Sequence, residues 1–145
     1  MKVQEIMTPD PAFCTPDTSL QEVARLMVRC DCGEIPVVQD PPSKKVVAVV
    51  TDRDIVVRSV AEGKNPLTLN AFAVMSSPAV TVAPDADLDN VVKLMQQRQI
   101  RRVPVVDRNG ALRGIVSLAD VARHHSKKET GELVREVSEP VRSRA

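Results

Sequence analysis

Two blocks of this 145-residue chain repeat one another at a fixed offset. Met7-Thr8 returns as Met75-Ser76, Pro16-Asp17 as Pro84-Asp85, and Pro36-Val37-Val38 as Pro104-Val105-Val106, each pair 68 residues apart. Leu20, Val23, Leu26 and Met27 return at the same offset as Leu88, Val91, Leu94 and Met95. Further on the offset drops to 66, so that Thr51 matches Ser117 and Asp54 matches Asp120. The slip falls between Asp40 and Val46, where Pro41-Pro42-Ser43-Lys44-Lys45 faces the shorter turn around Asn109-Gly110. Turns accept insertions that strands and helices do not, so a slip confined to a turn is what a structural repeat allows. A unit of roughly 60 residues buries too little surface to be stable alone. Two such units sharing a core make one compact domain, and paired copies create paired clefts.

Each copy reads in the same order. A short extended run (Ala12-Phe13-Cys14, then Ala79 to Val82) is broken by Pro-Asp, which starts a helix. In the first copy Thr18 and Gln21 have capping-box spacing. Leu20, Val23, Ala24, Met27 and Val28 follow at i, i+3, i+4, i+7 and i+8, an apolar helical stripe. Leu88, Val91, Val92 and Met95 make the same stripe behind Asp85 and Asp87. Two runs dense in β-branched residues come next: Ile35 to Val38 and Val46 to Val50, then Val103 to Val106 and Leu112 to Val116. Asp107-Arg108-Asn109-Gly110 predicts a hairpin turn. Thr51 to Val57 and Ser117 to Ala122 close each copy with a second helix. The predicted order is strand, helix, strand, strand, helix, twice. Residues 1–66 form the first unit and 67–126 the second, joined at Gly63-Lys64-Asn65-Pro66. Residues 127–145 are a charged tail in which Leu133, Val134 and Val137 predict an amphipathic turn or two, and 140–145 a frayed end.

Composition removes several function classes. The 20 basic and 19 acidic residues nearly balance, so no global field draws the chain to nucleic acid or a membrane. No apolar run approaches the roughly 18 residues of a spanning helix, and Met1 to Glu5 lead into no signal-like stretch. The expected location is cytoplasmic. Cys14, Cys30 and Cys32 are odd in number and Cys30-x-Cys32 lacks a second ligand pair, which favours small buried residues over zinc or redox chemistry. His124-His125 has no nearby partners for a metal and reads as a solvated helix end. Phe13 and Phe72 are the only aromatic residues, too few to stack single-stranded bases.

The motif with most chemical content is a strand, then Thr/Ser-x-x-Asp, then a helix. Taken once it is a capping box. Here it stands at the matching place in both copies, and in the second it follows Gly114, a residue that lets something approach the strand backbone. A helix N-terminus suits phosphate, and a carboxylate beside it can accept both hydroxyls of a ribose. These pieces fit a nucleoside phosphate. No nucleophile with its base, no Ser-His-Asp order and no metal-ligand set is apparent, so no enzyme is expected.

With these motifs in hand the chain resembles a tandem pair of CBS domains, a Bateman module, over about residues 1 to 125. The marks are Met-Thr/Ser near the start of each copy, Pro-Asp before the first helix, the hydrophobic-Pro-Val-Val strand, and Gly, two hydrophobic residues, then Ser/Thr-x-x-Asp at the second helix. The resemblance implies an α+β fold of two pseudo-symmetric β-α-β-β-α repeats packed sheet to sheet. It also implies a regulatory module with two clefts for an adenine nucleotide (AMP, ADP or ATP) or S-adenosylmethionine, acting on an unidentified regulated protein. Carried over residue by residue, the first cleft takes Val49, Thr51, Asp54, Ala79, Val80, Arg101, Arg102 and Pro104. The second takes Pro11, Ala12, Glu34, Pro36, Ile115, Ser117 and Asp120. Arg102 suits phosphate, whereas Glu34 at the matching place repels it, so the second cleft is expected to be the weaker. Ala48, where the family usually has Gly, is expected to crowd the first cleft slightly. The resemblance further implies a homodimer built on the second helices, around Ile55, Val56, Val121 and Ala122. Two rival readings stay open: an interaction scaffold in which Thr51, Asp54, Ser117 and Asp120 are only caps, and nucleic-acid binding through Arg98, Arg101 and Arg102, which the balanced charge and scarce aromatics argue against.

Overall fold

The β-branched runs form two antiparallel hairpins. In the first, β2 (Glu34–Val38) pairs with β3 (Val46–Thr51), placing Glu34 opposite Thr51 and Pro36 opposite Val49. In the second, β4 (Arg102–Val106) pairs with β5 (Leu112–Ser117), placing Arg102 opposite Ser117 and Pro104 opposite Ile115. A two-residue β1 (Thr8–Pro9) adds to the outer side of β5. This is a computed structural model, and it describes residues 1–124 and 134–138.

Each hairpin lies against the first helix of its own repeat. The helix α1 (Leu20–Cys30) buries Leu20, Val23 and Met27, and α3 (Leu88–Arg98) buries the matching Leu88, Val91 and Met95. Both end in a left-handed residue, Asp31 and Gln99, which stand 68 apart. Two details differ from expectation. The cap of α1 is Ser19, whose Oγ accepts from the Glu22 amide at 3.1 Å, while the Thr18 hydroxyl accepts from the Thr15 amide. Val28, at the end of the predicted stripe, is 80% exposed. The stripe drifts off the buried face by the last turn, as an α-helix of 3.6 residues per turn requires when its partner surface is short.

The halves are laced together by exchange of their leading segments. Val3 is fully buried in the second core, with Leu88, Val91, Met95, Val103, Val105, Val116 and Val121. Its amide donates to Ala86 O at 2.9 Å, and the Leu88 amide donates back to Met1 O at 2.9 Å. The same stitch, 68 residues on, joins Ala71 to the first core: its amide donates to Thr18 O at 2.8 Å, and Leu20 donates to Leu69 O at 3.0 Å. Between the hairpins, Val46 donates to Gly110 O at 3.0 Å and Leu112 to Lys44 O at 2.8 Å. Lys44 and Gly110 are matching residues and both are left-handed. The two sheets thus meet at their turns about a pseudo-two-fold axis.

The second helices are short. Thr51 caps α2 (Asp52–Arg58) and Ser117 caps α4 (Leu118–Ala122). Val121, expected on an intermolecular face, is fully buried in the second core, and Ile55 is partly buried against the first. The matching helical position faces inward in both repeats, so the exposed apolar residues of this region are Val56, Val57 and Val60, with Val57 turned to the cleft. In the tail, 134–138 are helical and Val137 is buried in the second core beside Val3. Leu133 and residues 140–145 lie outside the described residues, as does His125. His124 is exposed.

Candidate functional site

All eight residues expected in the first cleft line one cavity of about 950 Å³. That volume lies toward the upper end of small-molecule sites, which run to roughly 1,000 Å³. Three elements converge there. The end of β3 and head of α2 bring Val49, Thr51 and Asp54; the run that starts at Met75-Ser76 brings Ser76, Ala79 and Val80; the entry to β4 brings Arg101, Arg102 and Pro104.

The Thr-x-x-Asp motif is a capping box in full. Thr51 Oγ1 accepts from the Asp54 amide at 3.0 Å, and the Thr51 amide donates to Asp54 Oδ2 at 3.0 Å. Ser76 adds a hydroxyl donor 3.3 Å from Oδ2 and 3.4 Å from Oδ1. An ionised carboxylate has about four acceptor sites, so Asp54, half-buried at the cleft wall, keeps capacity for a ligand hydroxyl.

The arginines differ in availability. Arg58 lines the cleft but donates to Val74 O at 2.8 Å and Met75 O at 2.9 Å, clamping the connection between repeats. Arg101 donates to Ser138 Oγ at 3.3 Å, so the described part of the tail reaches this rim. Arg102 stands opposite the Ser117 end of β5 and faces Glu34 electrostatically.

Glu34 is a correction. Expected beside Ser117 in the second cleft, it lines the first with Thr51 and Arg102. The cause is register: Glu34 pairs with Thr51 across its own hairpin, which sets it beside its own repeat's motif. Burial pushes its carboxyl up to about 7; Arg102 opposes that shift and Asp54 reinforces it.

The other residues expected in the second cleft, Pro11, Ala12, Pro36, Ile115, Ser117 and Asp120, do not line this cavity. Ser117 and Asp120 form the matching capping box, at 3.1 and 2.8 Å, and both are buried. Asp120 is also ion-paired with Arg123, where the first repeat has Val57. Gly114 admits the chain itself: a Cβ there would lie 2.4 Å from Met7 Sδ and 2.9 Å from Thr8 O. Ala48 is fully buried in the first core and does not line the first cleft, so its methyl crowds nothing there.

Ser76, Pro78, Arg53, Gln99 and Ile100 also line the cleft without having been singled out. For Ser76 the signal was present, because it belongs to the repeated Met-Thr/Ser pair. Burial pushes the thiol of Cys14 up to about 12 and, with Cys30 adding to it, that of Cys32 up to about 11, so neither is an activated nucleophile. Among the described residues no group of three or more His, Cys, Asp and Glu could hold a metal ion, and no helix is long and apolar enough to cross a membrane.

Comparison with known proteins agrees with this architecture. The chain is 39% identical over 128 residues to the CBS domain-containing protein YhcV of Bacillus subtilis, covering 88% of each. It is 35% identical over 121 residues to protein MK0525 of Methanopyrus kandleri, covering 83% of this chain and 61% of that protein. Among solved structures it is similar to CBSX2 of Arabidopsis thaliana in complex with AMP, with TM-score 0.73, 26% identity and coverage of 85% and 94%. It is also similar to the CBS domain pair of MJ0100 in complex with 5-methylthioadenosine and S-adenosyl-L-methionine, with TM-score 0.75, 26% identity and coverage of 86% and 94%. The CBS domain family matches twice, at residues 3–60 and 71–127, and the chain belongs to that family as a tandem CBS pair.

Proposed function

We propose that this chain is a regulatory module that binds an adenosine-containing ligand, an adenine nucleotide in the first instance, in the cleft between its repeats. The observation that carries this reading is the convergence of Thr51, Asp54, Ala79, Val80, Arg101 and Arg102 on one cavity. Asp54 offers acceptors to ribose hydroxyls, Val49, Val80 and Pro104 offer apolar walls to the base, and Arg102 offers paired donors to phosphate. AMP bound to CBSX2 and S-adenosyl-L-methionine bound to the MJ0100 pair support the ligand class. Such a module acts by binding one packing arrangement of its repeats, or of a dimer, more tightly than another, and a separate partner protein supplies any output. It carries out no catalysis in this reading. A homodimer through the exposed Val56 and Val60 belongs to the same proposal, as does a cytoplasmic setting.

The test is direct. With no Trp or Tyr, the purified protein has almost no near-ultraviolet absorbance of its own, so a purine band reveals retained ligand and mass spectrometry names it. Calorimetry with AMP, ADP, ATP, S-adenosylmethionine and adenosine then measures affinity. Failure of all five to bind overturns the reading.

A second reading has one observation in its favour. Both Thr/Ser-x-x-Asp motifs are complete reciprocal caps, as an interaction scaffold with vestigial clefts requires. Partner binding that survives loss of every nucleotide contact would select it.

A further inference from the structure

Glu34 and Arg102 hold matching positions in the two repeats, each opening the strand that runs into Pro-Val-Val. The pseudo-symmetry brings both to the cavity that holds Thr51 and Asp54. One carboxylate oxygen of Glu34, Oε2, is buried and has no hydrogen-bond partner among the described residues. A buried acceptor without a donor is costly, and far more so when it carries charge.

The charged and titratable groups around it are few. From β4 come Arg102 and, beside it, Arg101; from α2 come Asp54, Asp52, Arg53 and Arg58, the last held by the Val74 and Met75 carbonyls; the Cys32 thiol precedes it on the chain and donates to the Glu34 carbonyl at 3.7 Å. Asp52 also crowds Gly33, where a Cβ would stand 3.0 Å from its carboxylate. Arg102 is therefore shared. Ionised, Glu34 occupies its charge; a ligand phosphate wants the same charge and meets Glu34 as a third anion beside Asp54.

Resting on the adenosine reading above, we propose that Glu34 is the selectivity residue of this cleft. A phosphorylated nucleoside seats its phosphate against Arg102 only with Glu34 in the acid form, its carboxyl O–H donating to a phosphate oxygen. The unphosphorylated nucleoside makes no such demand. The proton comes from solvent and stays on Glu34 in the complex, so the buried carboxyl is neutral and the phosphate gains a donor. Burial already holds this carboxyl near 7 in the empty cleft, and an arriving phosphate raises it further by like-charge repulsion.

Calorimetry on the whole chain tests this with AMP and adenosine, from about pH 6 to about pH 8.5, in buffers of different ionisation enthalpy. AMP affinity should fall by up to about tenfold per pH unit above about pH 7, with net proton uptake, while adenosine affinity stays level. In Glu34→Gln the fall should vanish, leaving only the titration of the phosphate itself near about pH 6. Infrared difference spectra of the wild type should show a protonated carboxyl appearing as AMP binds at about pH 8, a readout that needs no variant. Identical pH profiles in wild type and Glu34→Gln, or no such carboxyl band, overturn the inference and leave the adenosine reading standing. Binding of S-adenosylmethionine but not AMP at every pH does the same. Absence of binding by any adenosine compound overturns both.

Discussion

Ser76 donates its hydroxyl to Asp54, 3.3 Å from Oδ2, and so ties the segment leading into the second repeat to the helix head of the first. Two backbone bonds fix Ser76 there: its amide donates to Val49 O at 2.8 Å, and its carbonyl oxygen accepts from the Val49 amide at 3.1 Å. Asp54 therefore does two jobs that substitution can separate. Asp54→Ala loses an N-terminal cap contact, worth about 1 kcal/mol of stability. It also loses a charge-assisted bond to ligand, worth roughly 1.5–3 kcal/mol, so AMP affinity should fall about tenfold or more. Ser76→Ala keeps the charge and the cap, and affinity should hold. Urea melts and calorimetry on the two variants measure both effects; unchanged affinity in Asp54→Ala would reduce the residue to a cap.

Gly114 sits against Met7 and Thr8, and its prediction is structural. Gly114→Ala drives a methyl into Met7 Sδ and the Thr8 carbonyl. The Met7 side chain can move, but the backbone oxygen of β1 cannot without breaking the β1–β5 pairing. The variant should lose roughly 1–3 kcal/mol, the usual cost of overpacking, seen as a lower melting temperature. Met7→Ala in the same chain should recover only the part due to the sulfur. A Gly114→Ala protein as stable as the wild type would show that β1 is not held as described.

Much of this molecule was legible because the repeat constrains twice what a single copy constrains once. The β-branched runs gave both hairpins within a residue, and Asp107 with Gly110 marked a turn that the Asp107 carboxylate does hold, accepting from the Asn109 and Ala111 amides. The eight residues of the first cleft came together as expected. Three things stayed hidden, each for a physical reason. Thr18 and Ser19 offer equivalent hydroxyls, so sequence could not choose the cap of α1. An offset says which residues are alike but not which copy they touch, so the exchange of Val3 and Ala71 between cores could not be seen. The side on which Glu34 lies depends on hairpin register, which pairs it with Thr51 of its own repeat.

Arg58 holds Val74 and Met75 and Arg101 holds Ser138, whereas the charge of Arg102 faces Glu34 inside the cleft. Arg102→Glu should weaken AMP binding by about tenfold or more, the worth of a charge-assisted phosphate contact, and adenosine binding much less. Rising salt should weaken AMP binding in the wild type more than in the variant. One phosphate-bearing site per chain is expected. An Arg102→Glu protein that binds AMP normally would remove Arg102 from the site.

Val56 and Val60 are 56% and 57% exposed at i, i+4 spacing at the end of the first repeat. Apolar side chains so placed favour a contact with a second copy. The mass by light scattering should be near twice the 15.8 kDa chain. Val56→Asp with Val60→Asp should return it to the monomer with the fold kept, as judged by an unchanged circular dichroism spectrum. A wild-type monomer at tens of micromolar would end this part of the proposal.

The last prediction concerns stability in the empty protein and follows from Glu34 alone. Its carboxyl is raised from 4.5 in the open chain to about 7 in the fold, burial being the main cause. Between those two values the folded state holds a proton that the unfolded state has released. Stability must therefore fall as pH rises through that window and level off above about 7. A displacement of that size corresponds to roughly 3 kcal/mol in full, and solvent reaching the cleft reduces it. Glu34→Gln cannot release the proton, so its urea midpoint should lack this descent and should exceed that of the wild type by most at about pH 8. Other carboxylates titrate at the acid end of the window in both proteins and cancel in the difference. Parallel curves for the two proteins from about pH 5 to about pH 8 would mean that Glu34 is solvated in the empty cleft and carries no unusual proton.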